Sequence, residues 1–274
     1  MPASAKTPPT AYEDILYTKE RGLATVTMNR PKVMNAFRPQ TIDEMIHAFE
    51  DAWHDDSVGV IALTGAEGNF CTGGDQKIRG EEGYVDARTG HGRLHVRQFQ
   101  RVIREVPKPV IAAVDGWAVG GGHILHLLCD LTICTSRAKF GQTGPRVGSF
   151  DAGFGTVLLS RIVGEKKARE IWFLCDFYEA AEALNMGLVN KVVEPDQLAA
   201  ETRAWADKML KKSPTALRFL KASFNADTDW VYGLQAVAHG ATHLFYGTEE
   251  AAEARAAYKE KRDPDFEKFR RTPW

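Results

Sequence analysis

Two glycine-rich turns are the parts of this sequence best suited to chemistry. The first is CTGGDQKIRG, residues 71–80, which follows an apolar run at 58–64. The second is DGWAVGGGH, residues 115–123, which follows VIAAV at 110–114 and leads into a strongly apolar helical stretch at 124–129. Glycine in such turns allows positive φ, and Gly73 and Gly74 could serve a turn for that reason alone. At the start of a helix, however, backbone N–H groups are free and the helix dipole favours negative charge. Two such turns, each after a strand, can aim two N–H groups at one carbonyl oxygen. Each donor of that kind contributes about 3–4 kcal/mol to a developing oxyanion. The spacing matches neither GxGxxG nor GxxxxGK[ST], so nucleotide binding is not indicated.

A third segment, GSFDAGFG at 148–155, places Ser149 and Asp151 just before a helical pattern at 153–163. One of them suits a helix cap, and both suit a polar site.

The elements that must position these turns read as alternating strands and helices. Residues 23–29, 58–64 and 109–115 are short β-branched runs bounded by Gly, Pro or Asn. Between the first two lies a helix opened by a capping box at Thr41–Glu44, with Ile42, Met45, Ile46, Phe49 and Trp53 along one face. A second helix runs from about 94 to 106 and stops at Pro107 and Pro109. This order predicts an α/β chain with largely parallel pairing. After about residue 190 the pattern turns helical, over 197–212, 214–224 and 249–261, with Ser213 as a cap. The expected organisation is therefore a loose arm at 1–11, a core at 12–195, and a helical region at 196–274 for oligomerisation and closure of the site.

Composition narrows the class. With 35 Lys and Arg against 36 Asp and Glu, net charge −1, there is no global basic field for nucleic acid or an anionic membrane, so an anionic ligand must be held locally. Cys71, Cys129, Cys134 and Cys175 show no CxxC pair or zinc spacing, and reduced thiols are expected. No apolar run reaches eighteen residues and no apolar signal segment opens the chain, so a cytoplasmic protein without metal is expected.

The segments NAF (35–37), FCTGGDQ (70–76), PKPVIAAVDGWAVGGGH (107–123), CDLTIC (129–134) and FGQTGPRVG (140–148) together resemble the crotonase, or enoyl-CoA hydratase, superfamily. The resemblance implies a spiral of ββα units, a C-terminal helical trimerisation region giving a homotrimer or homohexamer, and a CoA-thioester substrate. It also implies that the Gly74 and Gly121 N–H groups bind the thioester oxygen and stabilise an enolate. Hydratases of this superfamily carry a Glu near the position of Gly144, which here leaves that reading without its base.

A finer resemblance, carried by GGDQKIRGEEGY, QTGPRVGSFDAGFG, KKAREIW, LFYGTEE and EKRDPDF, is to one branch, the 1,4-dihydroxy-2-naphthoyl-CoA synthases of quinone biosynthesis. There, in one subtype, bound bicarbonate replaces the missing carboxylate. By that resemblance Gln142, Thr143 and Gly144 hold bicarbonate, and Asp151 and Ser149 meet the second carbonyl of the substrate. Tyr84 and Tyr246 close over the acyl group, Tyr246 from the same or a neighbouring subunit. Lys77, Arg79 and Lys261 reach the phosphates or acyl carboxylate of the CoA ester; each also fits an ordinary charged surface. Ala152, the CDFYEA stretch (175–180) and AVAHGATHLFYG (236–247) depart from the branch. A relative with similar motifs, the ring-opening 2-ketocyclohexanecarboxyl-CoA hydrolase, is the alternative. A non-catalytic CoA-ester or RNA-binding crotonase is a third reading, disfavoured by the lack of a basic stretch interleaved with aromatics.

Overall fold

A computed structural model describes residues 11–80, 83–92 and 94–270. The expected arm at 1–11 thus lies outside the described residues but for its last position.

Strands β1 (Ile15–Glu20) and β2 (Leu23–Met28) form a hairpin packed beneath helix α1 (Pro39–His54). The chain then adds β3 (Val60–Gly65), helix α2 (Val96–Glu105) and β4 (Val110–Val114), followed by β5 (Trp117–Val119) and helix α3 (Gly121–Leu128). Next come β6 (Leu131–Thr135), β7 (Lys139–Gly141) and the single-turn α4 (Gly144–Val147). Helices α5 (Phe154–Val163) and α6 (Glu165–Leu174) lead to β8 (Phe177–Glu179), α7 (Ala180–Asn185) and β9 (Lys191–Val193). Among the described residues four α-helices follow: α8 (Leu198–Leu210), α9 (Pro214–Ala226), α10 (Val231–Tyr246) and α11 (Glu249–Glu260).

The main sheet has the order β1-β2-β3-β4-β6-β9, parallel throughout except for the β1–β2 pair. This is the parallel pairing that the strand and helix order predicts. A second sheet, β5-β7-β8, is extended by single bridges between Cys71 and Ala118 and between Phe37 and Gly74. Each passage of the chain thus lays one strand in the large sheet, one extended piece in the small layer, and then a helix. That is the expected spiral of ββα units. Phe49, Phe70, Phe99, Phe140 and Phe154 are fully buried between the layers, with Phe49 and Phe99 in edge contact at 5.2 Å. Each such side chain contributes about 1.5–3 kcal/mol by leaving water.

The structure corrects the capping box. Helix α1 begins at Pro39, not after Thr41, because proline fits the first helical position. The Thr41 hydroxyl accepts from Arg38 N (3.1 Å) and donates to Asp14 Oδ2 (2.6 Å), while Glu44 is drawn away by the backbone N–H groups of Glu13 and Asp14. The cap of α9 is as expected: Ser213 Oγ accepts from Ala216 N at 3.2 Å.

Candidate active site

The small layer brings the two glycine turns together. Phe37 N donates to Gly73 O (2.8 Å) and Asp75 N to Phe37 O (2.9 Å), so the intervening Gly74 N–H points away from Phe37. Gly73 takes φ +85°, which a side chain would resist, and a Cβ there would lie 2.8 Å from Gly121 N. Gly121 is the first residue of α3 and so has no intrahelical acceptor for its N–H. Gly73, Gly74, Gly120 and Gly121 all line one cavity of about 120 Å³. The expected oxyanion pair is therefore placed in one site.

Across this cavity the polar side chains have definite partners. Tyr84 is buried, and its hydroxyl stands where a Cβ on Gly74 would be, only 2.0 Å away. Burial, then the nearby Tyr246, pushes the Tyr84 pKa far above that of free tyrosine, which makes it a hydrogen-bond donor and not a base. Ser149 Oγ and Tyr246 Oη lie 3.2 Å apart. Asp151 Oδ1 accepts from Gly153 N (3.0 Å) and Gly155 N (3.2 Å), and its Oδ2 accepts from Gln235 Nε2 (3.3 Å). Asp151 thus caps α5 and lines the cavity at once; the two sequence readings of this residue are compatible.

Tyr246 reaches the site from its own chain, at the end of α10, and in this arrangement needs no neighbouring subunit to bring it there. Arg79 is placed away from where the sequence put it. It is only 3% exposed, donates from Nη2 to Val147 O (2.6 Å) and stacks at 4.7 Å on the Tyr246 ring. It lines neither the cavity nor its mouth, so its contact with the site is through Tyr246.

Gln142, Thr143 and Gly144 line the cavity beside Gly120 and Gly121. The Gln142 amide Nε2 donates to His123 Nδ1 at 3.0 Å, and burial pulls His123 down to about 3, so its ring is neutral and can accept. A Cβ on Gly144 would lie 2.7 Å from Ser149 O, which bars a larger residue there unless the loop moves. Asp151 is the only acid on the cavity wall among the described residues, so the donors near Gly144 face no competing carboxylate. That donor set fits a small anion such as bicarbonate.

A second, larger cavity of about 800 Å³ meets the first at Thr72, Gly74, Gln76, Thr143 and Val147. Lys77 and Lys261 line it, as do Lys32, Arg146 and Arg262. This basic channel leading to the oxyanion turns has the size and charge for the nucleotide and pantetheine arm of a CoA ester. The last three cations were not assigned to the site from the sequence.

The sequence also missed the companions of Tyr246 on α10. Gln235, His239 and Thr242 recur with it at helical spacing, and all four line the small cavity. Trp172, which donates from Nε1 to Gly155 O (3.1 Å), and Gln100 complete that wall. Among the described residues no helix is long and apolar enough to cross a membrane.

Comparison with known proteins agrees with this geometry. A family model described as enoyl-CoA hydratase/isomerase matches residues 18–270. An enoyl-CoA hydratase from Mycobacterium avium subsp. paratuberculosis K-10 superimposes with a TM-score of 0.81 at 26% identity, over 93% of this chain and 99% of that one. An enoyl-CoA hydratase subunit from Geobacillus kaustophilus HTA426 is 31% identical, with a TM-score of 0.72, over 93% and 98% of the two chains. A methylmalonyl-CoA decarboxylase solved with 2-nitronate-propionyl-CoA is 25% identical, with a TM-score of 0.81, over 93% and 99%. With the family match running nearly its whole length, the chain belongs to the enoyl-CoA hydratase/isomerase family, the crotonases.

Proposed function

We propose that this protein is a 1,4-dihydroxy-2-naphthoyl-CoA synthase, which closes the second ring of o-succinylbenzoyl-CoA by an intramolecular Claisen condensation. The observation that carries this reading is the lining of the small cavity. It brings the backbone of Gly74 and Gly121 together with Ser149, Asp151 and Tyr246, and it carries no carboxylate at Gly144. A hydratase needs carboxylates to handle water near the thioester, and here Gly144 stands in that region.

The Gly74 and Gly121 N–H groups take the thioester oxygen and stabilise it as the α-proton leaves and an enolate forms. Bicarbonate held by Gln142, Thr143 and Gly144 would supply the proton acceptor that a carboxylate near Gly144 supplies in the hydratases. The α-carbon then attacks the aromatic carboxyl carbon. Tyr246 and Ser149, hydrogen-bonded to one another, donate to the oxygens of that group, and one oxygen departs as water. Tyr84, which keeps its proton, adds a donor over Gly74. Tautomerisation of the cyclic diketone completes the aromatic ring. The basic channel holds the CoA portion throughout, with Lys77 and Lys261 on its wall.

We further propose a homotrimer or homohexamer. Phe173, Phe219, Phe224, Val237 and Leu244 are large apolar side chains left well exposed, four of them on α9 and α10.

The test is to incubate the protein with o-succinylbenzoyl-CoA, with and without added bicarbonate, and follow the mass of the CoA ester. Loss of one water, faster with bicarbonate, is expected. An unchanged mass, together with a gain of one water on 2-ketocyclohexanecarboxyl-CoA, would replace the synthase with the ring-opening hydrolase.

A further inference from the structure

Helix α10 carries four polar side chains into the small cavity, and three of them are committed. Gln235 Oε1 accepts from Phe154 N (2.7 Å) while its Nε2 donates to Gln100 (3.1 Å) and Asp151 (3.3 Å). The Thr242 hydroxyl lies 2.9 Å from both Phe150 O and Ala238 O. Tyr246 pairs with Ser149. The fourth, His239, stands one helical turn beyond Gln235 and lines the cavity with no hydrogen-bond partner among the described residues.

Its surroundings keep it neutral. Burial lowers the His239 pKa below 6.5, helped by Arg97 of α2 and His243 of α10 and opposed by Asp151. A neutral, half-buried imidazole has one N–H to give, and Asp151 opposite it is already held by three donors of its own. A polar group facing a cavity without a partner selects for a ligand atom that satisfies it.

We propose that His239 is a specificity-determining residue that donates a hydrogen bond to a second carbonyl oxygen on the acyl group, away from the thioester. Acyl-CoA esters bearing such an oxygen are thereby favoured over plain hydrocarbon esters. This rests on the reading of the cavity as the acyl site, and it adds a side chain that the ring-closing reaction by itself does not require.

The test compares 4-oxo-4-phenylbutanoyl-CoA with 4-phenylbutanoyl-CoA, which differ by one ketone oxygen and of which neither has the carboxyl group needed for ring closure. Dissociation constants are measured by calorimetry for the wild-type protein and for His239→Leu, His239→Ala and His239→Gln. The wild type is expected to bind the keto ester about tenfold more tightly, the typical worth of one satisfied buried donor. Leu or Ala at 239 is expected to abolish that preference and leave the hydrocarbon ester within about threefold, while Gln, which keeps an N–H, retains part of it. Equal binding of the two esters by the wild type overturns the proposal, as does an unchanged preference in His239→Leu or His239→Ala. Since no turnover is read, failure of the protein to close the ring of o-succinylbenzoyl-CoA would defeat the synthase reading and leave this result standing.

Discussion

A single methyl group at Gly122 tests whether the two turns act as one oxyanion site. A Cβ there would lie 2.0 Å from Cys71 O and 2.6 Å from Cys71 C, both backbone atoms that cannot swing aside. Those same atoms hold the turns together, because Val119 N donates to Cys71 O at 3.0 Å and Cys71 N to Trp117 O at 2.8 Å. Relieving the clash therefore moves the first turn of α3 away from residues 71–74 by about 1 Å, and a shift of that size at a reacting centre costs about a hundredfold in rate. Loss of one donor outright costs about 100- to 1000-fold, or roughly 3–4 kcal/mol. We expect Gly122→Ala to lower kcat on o-succinylbenzoyl-CoA at least about a hundredfold, with overpacking costing about 1–3 kcal/mol of stability. The CoA channel lies on other residues, so affinity for the ester, measured by calorimetry, should stay within a few fold. Gly240→Ala is the control: its added Cβ meets nothing within 4 Å. A Gly122→Ala protein that is folded and retains kcat within about threefold of the wild type would refute the shared oxyanion site.

Two further predictions concern acid and the far end of the cavity. His123 and His126 are wholly buried on α3, and burial holds His123 down to about 3 and His126 well below 6.5. The unfolded chain takes up a proton at each ring near pH 6.5 and the folded chain does not. Stability is therefore full above that pH and falls below it by about 1.4 kcal/mol per unit for each ring. Between pH 7 and 5 the pair should cost about 4 kcal/mol, and His126→Leu should remove about half of that slope in urea titrations; an identical slope in the variant would show that this ring charges freely in the fold. Asp151→Asn and Tyr246→Phe should each lower turnover at least about a hundredfold and leave ester affinity near normal, whereas a collapse of binding would make both residues structural.

What the sequence made legible was the part of the site built from backbone. Glycine after a strand and at a helix start marks free backbone N–H groups, so the two turns could be read from the residues, while the choice of Gly74 and Gly121 within them came from the resemblance to the crotonases. The strands at 58–64 and 109–115 were likewise visible, because buried parallel strands are largely apolar runs, and that at 23–29 through its β-branched residues. The second sheet was not: β5, β7 and β8 have three residues each and owe their pairing to the spiral and not to propensity. Helix α10 was hidden by Gly233 and Gly240, which weaken a helical pattern, and by apolar residues spread around its circumference. Arg79 misled for a related reason. A cation beside a glycine turn reads as anion-binding, and only a stacking partner 167 positions away in the chain, Tyr246, turns it inward.

The uneven legibility follows from how the site is divided between two parts of the chain. The oxyanion turns belong to the core, and their N–H groups are backbone, held by hydrogen bonds between the turns. The acyl end is made by α10, and that helix is held over the cavity by polar ties. Arg104 Nη2 donates to Thr228 Oγ1 (2.7 Å), Asn225 Nδ2 to Arg104 O (2.9 Å), and Phe154 N to Gln235 Oε1 (2.7 Å). Lys221, buried in α9, donates to Ile103 O and pairs with Asp130 at 2.8 Å, which pins the preceding helix to the same wall. These contacts fix the path of α10 without using His239 or His243. The helix can thus keep its place while the residues it presents change. Substrate choice would then vary at His239, among the described residues the one cavity-facing polar position of α10 that holds no tie, and enolate stabilisation would stay with Gly74 and Gly121. On this argument the departure of residues 236–247 from the synthase pattern bears on which acyl group enters, and leaves the common first step of the chemistry intact.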